Sequence, residues 1–209
     1  MISKNVRKKR MTAEERRAQI VSVATSLFAR NGFKGTTTRE IARKAGISEA
    51  VIFRHFSKKE ALYTAIINTK CNDKDGQSRL LKALEGKSGQ EVFREVASFL
   101  ISEHQRDPTF MRLLTYSALE EHKLSDIFLK TKGIELMEYL AGHIRRLIRE
   151  GLIRKVDPII AARAFMGMVL HYSMSQEIYG LKRYYKRANK SVVDMFVEIF
   201  FEGLKRRQP

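Results

Sequence analysis

Closely spaced helix-start signals in the first third of the chain limit its fold more than any other feature. In a capping box, Ser or Thr stands three residues before Glu or Gln, and each side chain accepts from the other residue's backbone amide. This pattern occurs at Thr12/Glu15, Thr37/Glu40 and Ser57/Glu60. Ser48 is a further cap candidate, and Gly32 and Gly46 are candidate helix ends. We therefore predict helices over 12–31, 37–45, 49–56 and 57–70.

The rest of the chain also predicts helices. It has only three prolines and no sustained apolar/polar alternation, so strands have little support. Helical apolar patterns lie near 90–106, 108–121, 124–150, 157–179 and 189–206. Polar residues 72–89 predict a connector, with room for a helical turn at 80–84. We expect an all-α fold in three parts: a basic flexible arm (1–11), a small domain (12–70) and a larger domain (71–209).

Positive charge is concentrated near the start of the chain. The formal net charge is +17, and residues 1–70 contain 16 Lys and Arg against five Asp and Glu. Such a concentration favours a polyanion, because neutralising phosphates releases condensed counterions. Nucleic acid is therefore the expected partner, although an anionic membrane surface attracts the same charges.

The expected cellular compartment follows from the targeting and membrane-spanning signals that the sequence does not contain. No apolar run is long enough to span a membrane, and the basic start leads into charged residues rather than a signal-peptide core. The single cysteine, Cys71, cannot form an intrachain disulfide and is expected to be an ordinary helix-end residue. We expect a cytoplasmic protein with no membrane partner, no metal and no cofactor.

Residues 38–57 fit a helix-turn-helix. The motif needs a small residue where the helices touch, a glycine in the turn and aliphatic residues that fix the crossing angle. Ala42 and Gly46 supply the first two. The inward-facing positions hold Ile41, Ile47, Ile52 and Phe56. Their order within one short segment predicts a DNA-binding motif.

The same region resembles the tetracycline-repressor (TetR) family of transcription regulators over about residues 12–67. The family pattern joins Phe-x-x-x-Gly, Thr-Thr-x-x-x-Ile-Ala and Gly-Val-Ser, followed by Tyr-x-His-Phe-x-x-Lys-Glu-x-Leu. The matching residues are Phe28, Gly32, Thr37, Thr38, Ile41, Ala42, Gly46, Ile47, Ser48, His55, Phe56, Lys59, Glu60 and Leu62. Phe53 replaces the family's tyrosine. The hydroxyl that commonly bonds a phosphate is therefore absent, while the ring can still pack on the DNA backbone or a thymine methyl.

The resemblance implies a transcriptional regulator that binds operator DNA, with roles for named residues. Implied phosphate contacts are Thr37, Thr38, His55 and Lys59; implied contacts to base edges or the adjoining backbone are Arg39, Glu49, Ala50, Val51, Phe53 and Arg54, and Ser48 is a further implied DNA contact. The residue types suit these roles, because guanidinium groups match guanine O6 and N7 and small apolar groups pack on thymine methyls. A helix N-terminus also favours an anion.

Several of these residues have a second interpretation. Thr37 caps a helix whether or not it contacts a phosphate, and Glu49 is also a favourable first-turn residue. His55 could be a core residue, and Arg54 a solvated charge. The basic arm could enter a minor groove or remain a solvated tail.

Residues 157–206 are too apolar for helices with a single buried face. Together with the resemblance, this predicts a homodimer formed through these residues as an isologous four-helix interface. Such a dimer presents two recognition helices about 34 Å apart, which predicts an inverted-repeat operator.

The resemblance also implies a cavity for a small, largely apolar effector in the larger domain. Candidate lining residues are Phe110, Met111, Leu114, Tyr116, Met137, Met166, His171 and Tyr172, with His143 as a further polar group. Flexible methionines suit an adaptable pocket, although residues of each of these types more often belong to an ordinary core. The helix near 58–71 is the expected movable element. Repression relieved by the effector is the family's commoner behaviour, and activation stays open.

The sequence also bears on two other classes of function, an enzyme and a nonspecific nucleic-acid-binding protein. An enzyme is not expected, because the sequence has no HExxH motif, no Gly-rich phosphate loop and no Ser-centred elbow. A nonspecific nucleoid-like protein would also carry the positive charge, but it predicts affinity without sequence preference.

Overall fold

The computed structural model describes residues 11–71, 74–121 and 123–206, and every regular element within these ranges is helical. This confirms the all-α prediction. The helices are α1 Ala13–Asn31, α2 Thr38–Ala45, α3 Glu49–His55, α4 Lys59–Cys71, α5 Lys74–Leu84, α6 Gln90–Arg106, α7 Thr109–Leu119, α8 Lys123–Phe128, α9 Ile134–Arg149, α10 Pro158–Glu177 and α11 Asn189–Leu204. A π-helical segment, Leu129–Gly133, joins α8 to α9, and a 3-10 turn, Leu181–Arg183, precedes α11.

The chain divides into two compact units, Met1–Thr69 and Lys70–Pro209. Apart from Met11, the predicted basic arm lies outside the described residues. None of the described helices combines the length and apolar character needed to cross a membrane.

Helix α1 begins with the predicted capping box. The Glu15 amide donates to Thr12 Oγ1 at 3.1 Å, and the Thr12 amide donates to Glu15 Oε2 at 2.7 Å. The helix ends where the Gly32 amide donates to the Phe28 carbonyl at 2.9 Å. Its buried face is Ile20, Ala24, Leu27, Phe28 and Ala29. The residues Ile20, Val23, Ala24, Leu27 and Phe28 recur with a helical period and form the face that α1 buries, with Val23 half-buried at its edge.

Helix α2 keeps half of its predicted capping box. Thr37 Oγ1 accepts from the Glu40 amide at 3.1 Å. The Glu40 carboxylate turns instead to α1, where it lies 3.5 Å from Asn31 Nδ2 and 4.0 Å from an Arg30 guanidinium nitrogen. Gly46 ends the helix in the left-handed region, with φ 68° and ψ 35°, as the turn requires.

Two predicted caps in this unit are wrong. Ser48 precedes α3, but its hydroxyl makes no capping hydrogen bond. Helix α4 begins at Lys59 rather than after Ser57, and the Lys58 carbonyl accepts from its first turn. Buried Phe56 has an extended backbone (φ −141°, ψ 116°), so the chain leaves the helical conformation between α3 and α4.

The core of the first unit gathers residues from all four helices. Phe28 packs edge-on against Tyr63 with ring centroids 4.9 Å apart, and it stacks on Phe33 at 5.7 Å. The predicted inward-facing residues Ile41, Ala42, Ile52 and Phe56 are buried, and Ile47 is half-buried. The helix-turn-helix is thus held from behind by an aromatic cluster that joins α1 to α4.

The predicted connector 72–89 is largely helical, which corrects the sequence-based prediction. Helix α5 covers 11 residues, Lys74–Leu84, despite the glycine at position 76. Leu84 is buried and Leu80 packs against the core of the second unit. These two leucines lie about one helical turn apart, so burial of one face offsets the low helix propensity of the polar segment.

The helix predicted over 124–150 is interrupted. The π-helical segment separates α8 from α9, and Phe128 at the end of α8 packs edge-on against Phe110 of α7 at 5.1 Å. A π-bulge inserts into a helix without ending it. The apolar pattern of the sequence therefore continues through the π-helical segment, and only Gly133 marks where that segment ends.

The core of the second unit is formed by α6, α9, α10 and α11. Phe93 of α6 contacts three phenylalanines with ring centroids 5.0 to 5.5 Å away, namely Phe165, Phe200 and Phe201. Asp157 caps α10 by accepting from the amides of Ile159 and Ile160 at 2.9 Å, with Pro158 in the first turn.

Candidate nucleic-acid interface

Helix α3 buries one side and exposes a mixed aromatic and basic side. Ile52 is buried, whereas Ala50, Phe53 and Arg54 are exposed. The Phe53 side chain is 48% exposed and lies next to the exposed Arg54. Such a surface is available for contact with a partner.

Thr38 and Arg39 in α2 are both tied to Glu49 in α3. Thr38 Oγ1 donates to Glu49 Oε2 at 2.7 Å, and Arg39 Nε lies 3.5 Å from Glu49 Oε1. The Arg39 side chain is nevertheless 89% exposed, so its ion pair is weak and its guanidinium remains reachable. Glu49 therefore fixes the start of α2 against the start of α3, a role that the sequence did not suggest.

Lys59 makes its contacts within the first unit. Its ammonium donates to the carbonyls of Phe33 and Thr36, each at 2.9 Å, and lies 4.1 Å from the centre of the Phe33 ring. Three directions of the ammonium are thus used to hold the loop before α2. The expected phosphate contact of Lys59 stays a prediction.

The remaining predicted contacts divide by exposure. Thr37 and Ser48 are exposed beside the starts of α2 and α3. Val51 and His55 are half-buried. The His55 side chain is therefore neither fully buried in the core nor fully exposed to solvent.

Two polar residues of α1, outside its buried face, support the motif. The Arg17 guanidinium lies 4.8 Å above the Phe56 ring, and Gln19 Nε2 donates to the Ala45 carbonyl at 3.2 Å. The second bond satisfies a free carbonyl at the end of α2. No local pattern signals either contact, because both join residues distant in sequence.

The predicted effector residues lie in the second unit, mostly half-buried. Phe110, Met111, Leu114, Tyr116, Met137, Met166 and Tyr172 are half-buried, whereas His171 is exposed and lies 3.3 Å from Ser175 Oγ. Burial lowers the pKa of the His143 imidazole, with nearby Arg146 lowering it further.

Two grooves lie among the described residues of this unit. One, of about 620 Å³, is lined by α5 and Tyr139. The other, of about 470 Å³, lies where α10 ends and α11 begins, and Tyr172 is the one predicted effector residue that lines either groove. The effector contacts of this set therefore stay a prediction.

Comparison with known families agrees with both units. Residues 20–66 match the family model described as bacterial regulatory proteins of the tetR family. Residues 90–203, more than half of the chain, match the model described as the C-terminal domain of AefR-like transcriptional repressors.

Individual proteins of this kind are similar along most of their length. The chain is 25% identical over 158 residues to the uncharacterized HTH-type transcriptional regulator YvkB of Bacillus subtilis, covering 74% of this chain and 79% of the relative. It is 29% identical over 163 residues to the nucleoid occlusion factor SlmA of Vibrio atlanticus, covering 74% and 80%. The crystal structure of AibR in complex with isovaleryl coenzyme A and operator DNA has the same fold, with a TM-score of 0.68 at 23% identity over 88% of this chain and 97% of that one. The chain belongs to the tetR family of bacterial transcriptional regulators.

Proposed function

We propose that this regulator binds an inverted-repeat operator as a homodimer, represses transcription there and is released by a small, largely apolar effector. The observation that carries the proposal is the exposed aromatic and basic side of α3, next to the exposed Arg39 of α2. In this proposal residues 12–70 bind DNA, and residues 71–209 bind the effector and the partner subunit.

In the proposed complex, α3 enters the major groove. Arg39 and Arg54 donate to guanine O6 and N7, while Ala50, Val51 and Phe53 pack on thymine methyls or the adjoining backbone. Thr37, Thr38 and Ser48 contact phosphates at the starts of α2 and α3, and His55 contacts a phosphate from the end of α3. Glu49 serves mainly to orient Thr38 and Arg39, since both of its oxygens already hold these residues.

The proposed dimer uses the outer faces of α10 and α11. Ile160 of α10 is 62% exposed, and Met195 and Ile199 of α11 are 53% and 55% exposed, one turn apart. Ala164, Gly167 and Gly203 are also exposed on these helices and allow close approach of a partner helix. Apolar side chains in such a row favour burial against a second copy.

We propose that the apolar part of the effector is a short acyl group. The crystallised AibR complex contains isovaleryl coenzyme A together with operator DNA. In this chain, half-buried Phe110, Met111 and Leu114 follow one another on α7 and could receive a short acyl chain. Binding shifts the dimer away from the operator-competent state only if the effector prefers one state over the other.

Selection of duplexes from a random pool, at roughly 150 mM salt to suppress phosphate-only binding, tests the DNA part. We expect an enriched inverted repeat.

Arg54→Ala should relax one base position in each half-site and weaken binding about tenfold or more, since a bidentate contact contributes about 1–3 kcal/mol. Arg149→Ala, an exposed arginine of the second unit, serves as the control. Isovaleryl coenzyme A is then titrated against the selected duplex, and release is the expected result.

A nonspecific, nucleoid-like binder is the second candidate, because the net charge of +17 also favours binding to any nucleic acid. That candidate predicts no enriched sequence and a steep salt dependence for every duplex alike. Absence of enrichment both with and without cell extract would therefore replace the first proposal by the second.

A further inference from the structure

Two buried polar atoms in the second unit have no hydrogen-bond partner among the described residues. They are Nδ1 of His104, on α6, and Oγ of Ser173, on α10. Ser173 is only 2% exposed. Buried polar groups nearly always have a partner, because an unsatisfied group has lost its bonds to water without replacement. Two such atoms on neighbouring helices therefore need a physical explanation.

The two atoms lie at a similar level of the seam between α6 and α10. Phe93 of α6 packs against Phe165 of α10 with ring centroids 5.0 Å apart. Glu177 is near enough to His104 for its carboxylate to act on the imidazole, so the two helices run in the same direction. At about 1.5 Å per residue, His104 lies about 16 Å beyond Phe93. Ser173 lies about 12 Å beyond Phe165 by the same measure, which is within one helical turn of His104.

The Ser173 hydroxyl does not use the acceptor that its own helix offers. A helical Ser or Thr can donate to the carbonyl four residues earlier. Thr69 and Thr115 both do so, at 2.9 Å. Ser173 bonds to no described residue, the Val169 carbonyl included, although it continues the buried stripe of Phe165 and Val169. An apolar side chain would fill this position without leaving a hydroxyl unsatisfied, so the serine is suited to bond a group from outside the chain.

The charges around the seam favour an uncharged group over an anion. Burial lowers the pKa of the His104 imidazole, and the carboxylates of Glu103 and Glu177 partly offset this change, so the ring is neutral at neutral pH. Each of these carboxylates already has a cationic partner, Arg79 for Glu103 and Lys182 for Glu177. A buried anion would lie beside two carboxylates whose cations are already paired, whereas a carbonyl oxygen adds no charge.

An open groove and apolar side chains adjoin the seam. Gln105, Tyr172 and Gln176, neighbours of the two residues on their helices, line the groove of about 470 Å³. Helix α7, which carries the proposed acyl-binding residues, lies against the end of α10, because Arg112 Nη2 donates to the Glu177 carbonyl at 3.1 Å. A ligand with an apolar end and a polar end therefore finds both environments near the seam.

We propose that His104 and Ser173 bind the ester or thioester carbonyl oxygen of the effector. Ser173 Oγ donates one hydrogen bond and Nδ1 of the neutral His104 ring donates the other, and one carbonyl oxygen accepts both. Both atoms are enclosed, so the carbonyl reaches them only when the ends of α6 and α10 move apart locally. This assignment deepens the proposed function and rests on it, since it names the group that joins the acyl chain to the rest of the effector.

Calorimetric titration of the full-length protein with isovaleryl coenzyme A, without DNA, tests the assignment. Ser173→Ala should weaken binding about fivefold, the usual effect of losing one hydrogen bond between neutral groups. The same substitution should raise the melting temperature of the protein without effector by about 2–4 °C, because it removes an unsatisfied hydroxyl. A bond needed only for folding would give the opposite change in melting temperature. Ethyl isovalerate should bind more tightly than isovalerate, which carries a charge.

Substitutions at His104 separate its hydrogen bond from its packing. His104→Asn keeps an amide donor close to the position of Nδ1 and should retain most of the affinity for isovaleryl coenzyme A. His104→Leu keeps a buried side chain without a donor and should bind about fivefold more weakly. The control, Ser102→Ala, removes an exposed hydroxyl from α6 and should change neither affinity nor melting temperature. Circular dichroism establishes that each variant is folded.

Four results would overturn the assignment. They are no binding of isovaleryl coenzyme A or ethyl isovalerate by the wild type at millimolar concentration, unchanged affinity of folded Ser173→Ala, a lower melting temperature of that variant, and tighter binding of isovalerate than of its ester. A lower melting temperature would mean that the hydroxyl is bonded inside the protein, as to a buried water. Binding of isovaleryl coenzyme A without release of the operator contradicts only the proposed function, whereas release that Ser173→Ala leaves unchanged contradicts only this site.

Discussion

At the scale of single residues, Lys59 shows how a side chain can belong to a surface and still hold the fold. Its ammonium bonds two carbonyls and a ring of the loop that precedes α2. A lysine in this position therefore sets where the first turn of α2 lies. A DNA phosphate would have to share the Lys59 ammonium with the two carbonyls and the ring that it already contacts.

Lys59→Met keeps most of the aliphatic stem but removes these bonds. We expect a decrease of roughly 2 kcal/mol in the free energy of unfolding, since hydrogen bonds to a charged group contribute about 1.5–3 kcal/mol each and this group is half exposed. Urea unfolding followed by circular dichroism measures the change. Lys58→Met, an exposed neighbour, is the control. Equal stability of the two variants would show that the ammonium contacts contribute nothing to folding.

Local signals account for the residues that the sequence predicted well. Thr12, Thr37 and Gly46 act within four residues of themselves, so spacing alone identifies them. The tie of Thr38 and Arg39 to Glu49 depends on how α2 and α3 cross. The same holds for Lys59, whose partners are more than 20 positions away. Such contacts become visible only when the helices are placed in space.

At the scale of elements, the two turns around α2 use glycine for different reasons. Gly46 has a positive φ of 68°, and an added Cβ would meet no atom within 4 Å. At Gly35, between α1 and α2, an added Cβ would lie 2.2 Å from the Asn31 carbonyl oxygen. The turn at Gly46 requires a backbone conformation, whereas the turn at Gly35 requires empty space.

Alanine at each position separates these causes. Gly46→Ala should cost about 1–2 kcal/mol for the left-handed conformation. Gly35→Ala should cost more, roughly 2–4 kcal/mol, because backbone must move to relieve the overlap. Chemical unfolding of the two variants under identical conditions measures the difference. A smaller effect for Gly35→Ala would mean that the end of α1 yields easily, contrary to its bonded Gly32 cap.

The errors at this scale have a common origin. Helix α5 and the π-helical segment lie where the sequence is polar or unbroken, and both are decided by contacts with other helices. Leu84 and Phe128 provide those contacts. The helices were predictable wherever apolar residues recur with a helical period, whereas the positions of the helix ends were less predictable.

At the scale of the whole molecule, the proposed dimer makes a direct prediction. Met195→Glu/Ile199→Glu places two like charges on the outer face of α11, so we expect dissociation to monomers in sedimentation velocity. Operator affinity should fall about 100-fold or more, because the two half-sites are then bound separately. Leu152→Glu, at a 62% exposed position outside α10 and α11, is the control. A double variant that stays dimeric would place the interface elsewhere.

Helix α11 is anchored at both ends. Asn189 pairs with Gln105 at its start, and at its end the Arg154 amide donates to the Leu204 carbonyl at 2.9 Å while the Arg154 side chain donates to that of Gly203. The helix is thus held in register by bonds that leave its outer side chains free. Over evolutionary time, that face can accumulate substitutions without shifting the helix. In the proposed dimer, a few changes on this face would therefore stop the product of a duplicated gene from pairing with its parent, while both proteins keep the same fold.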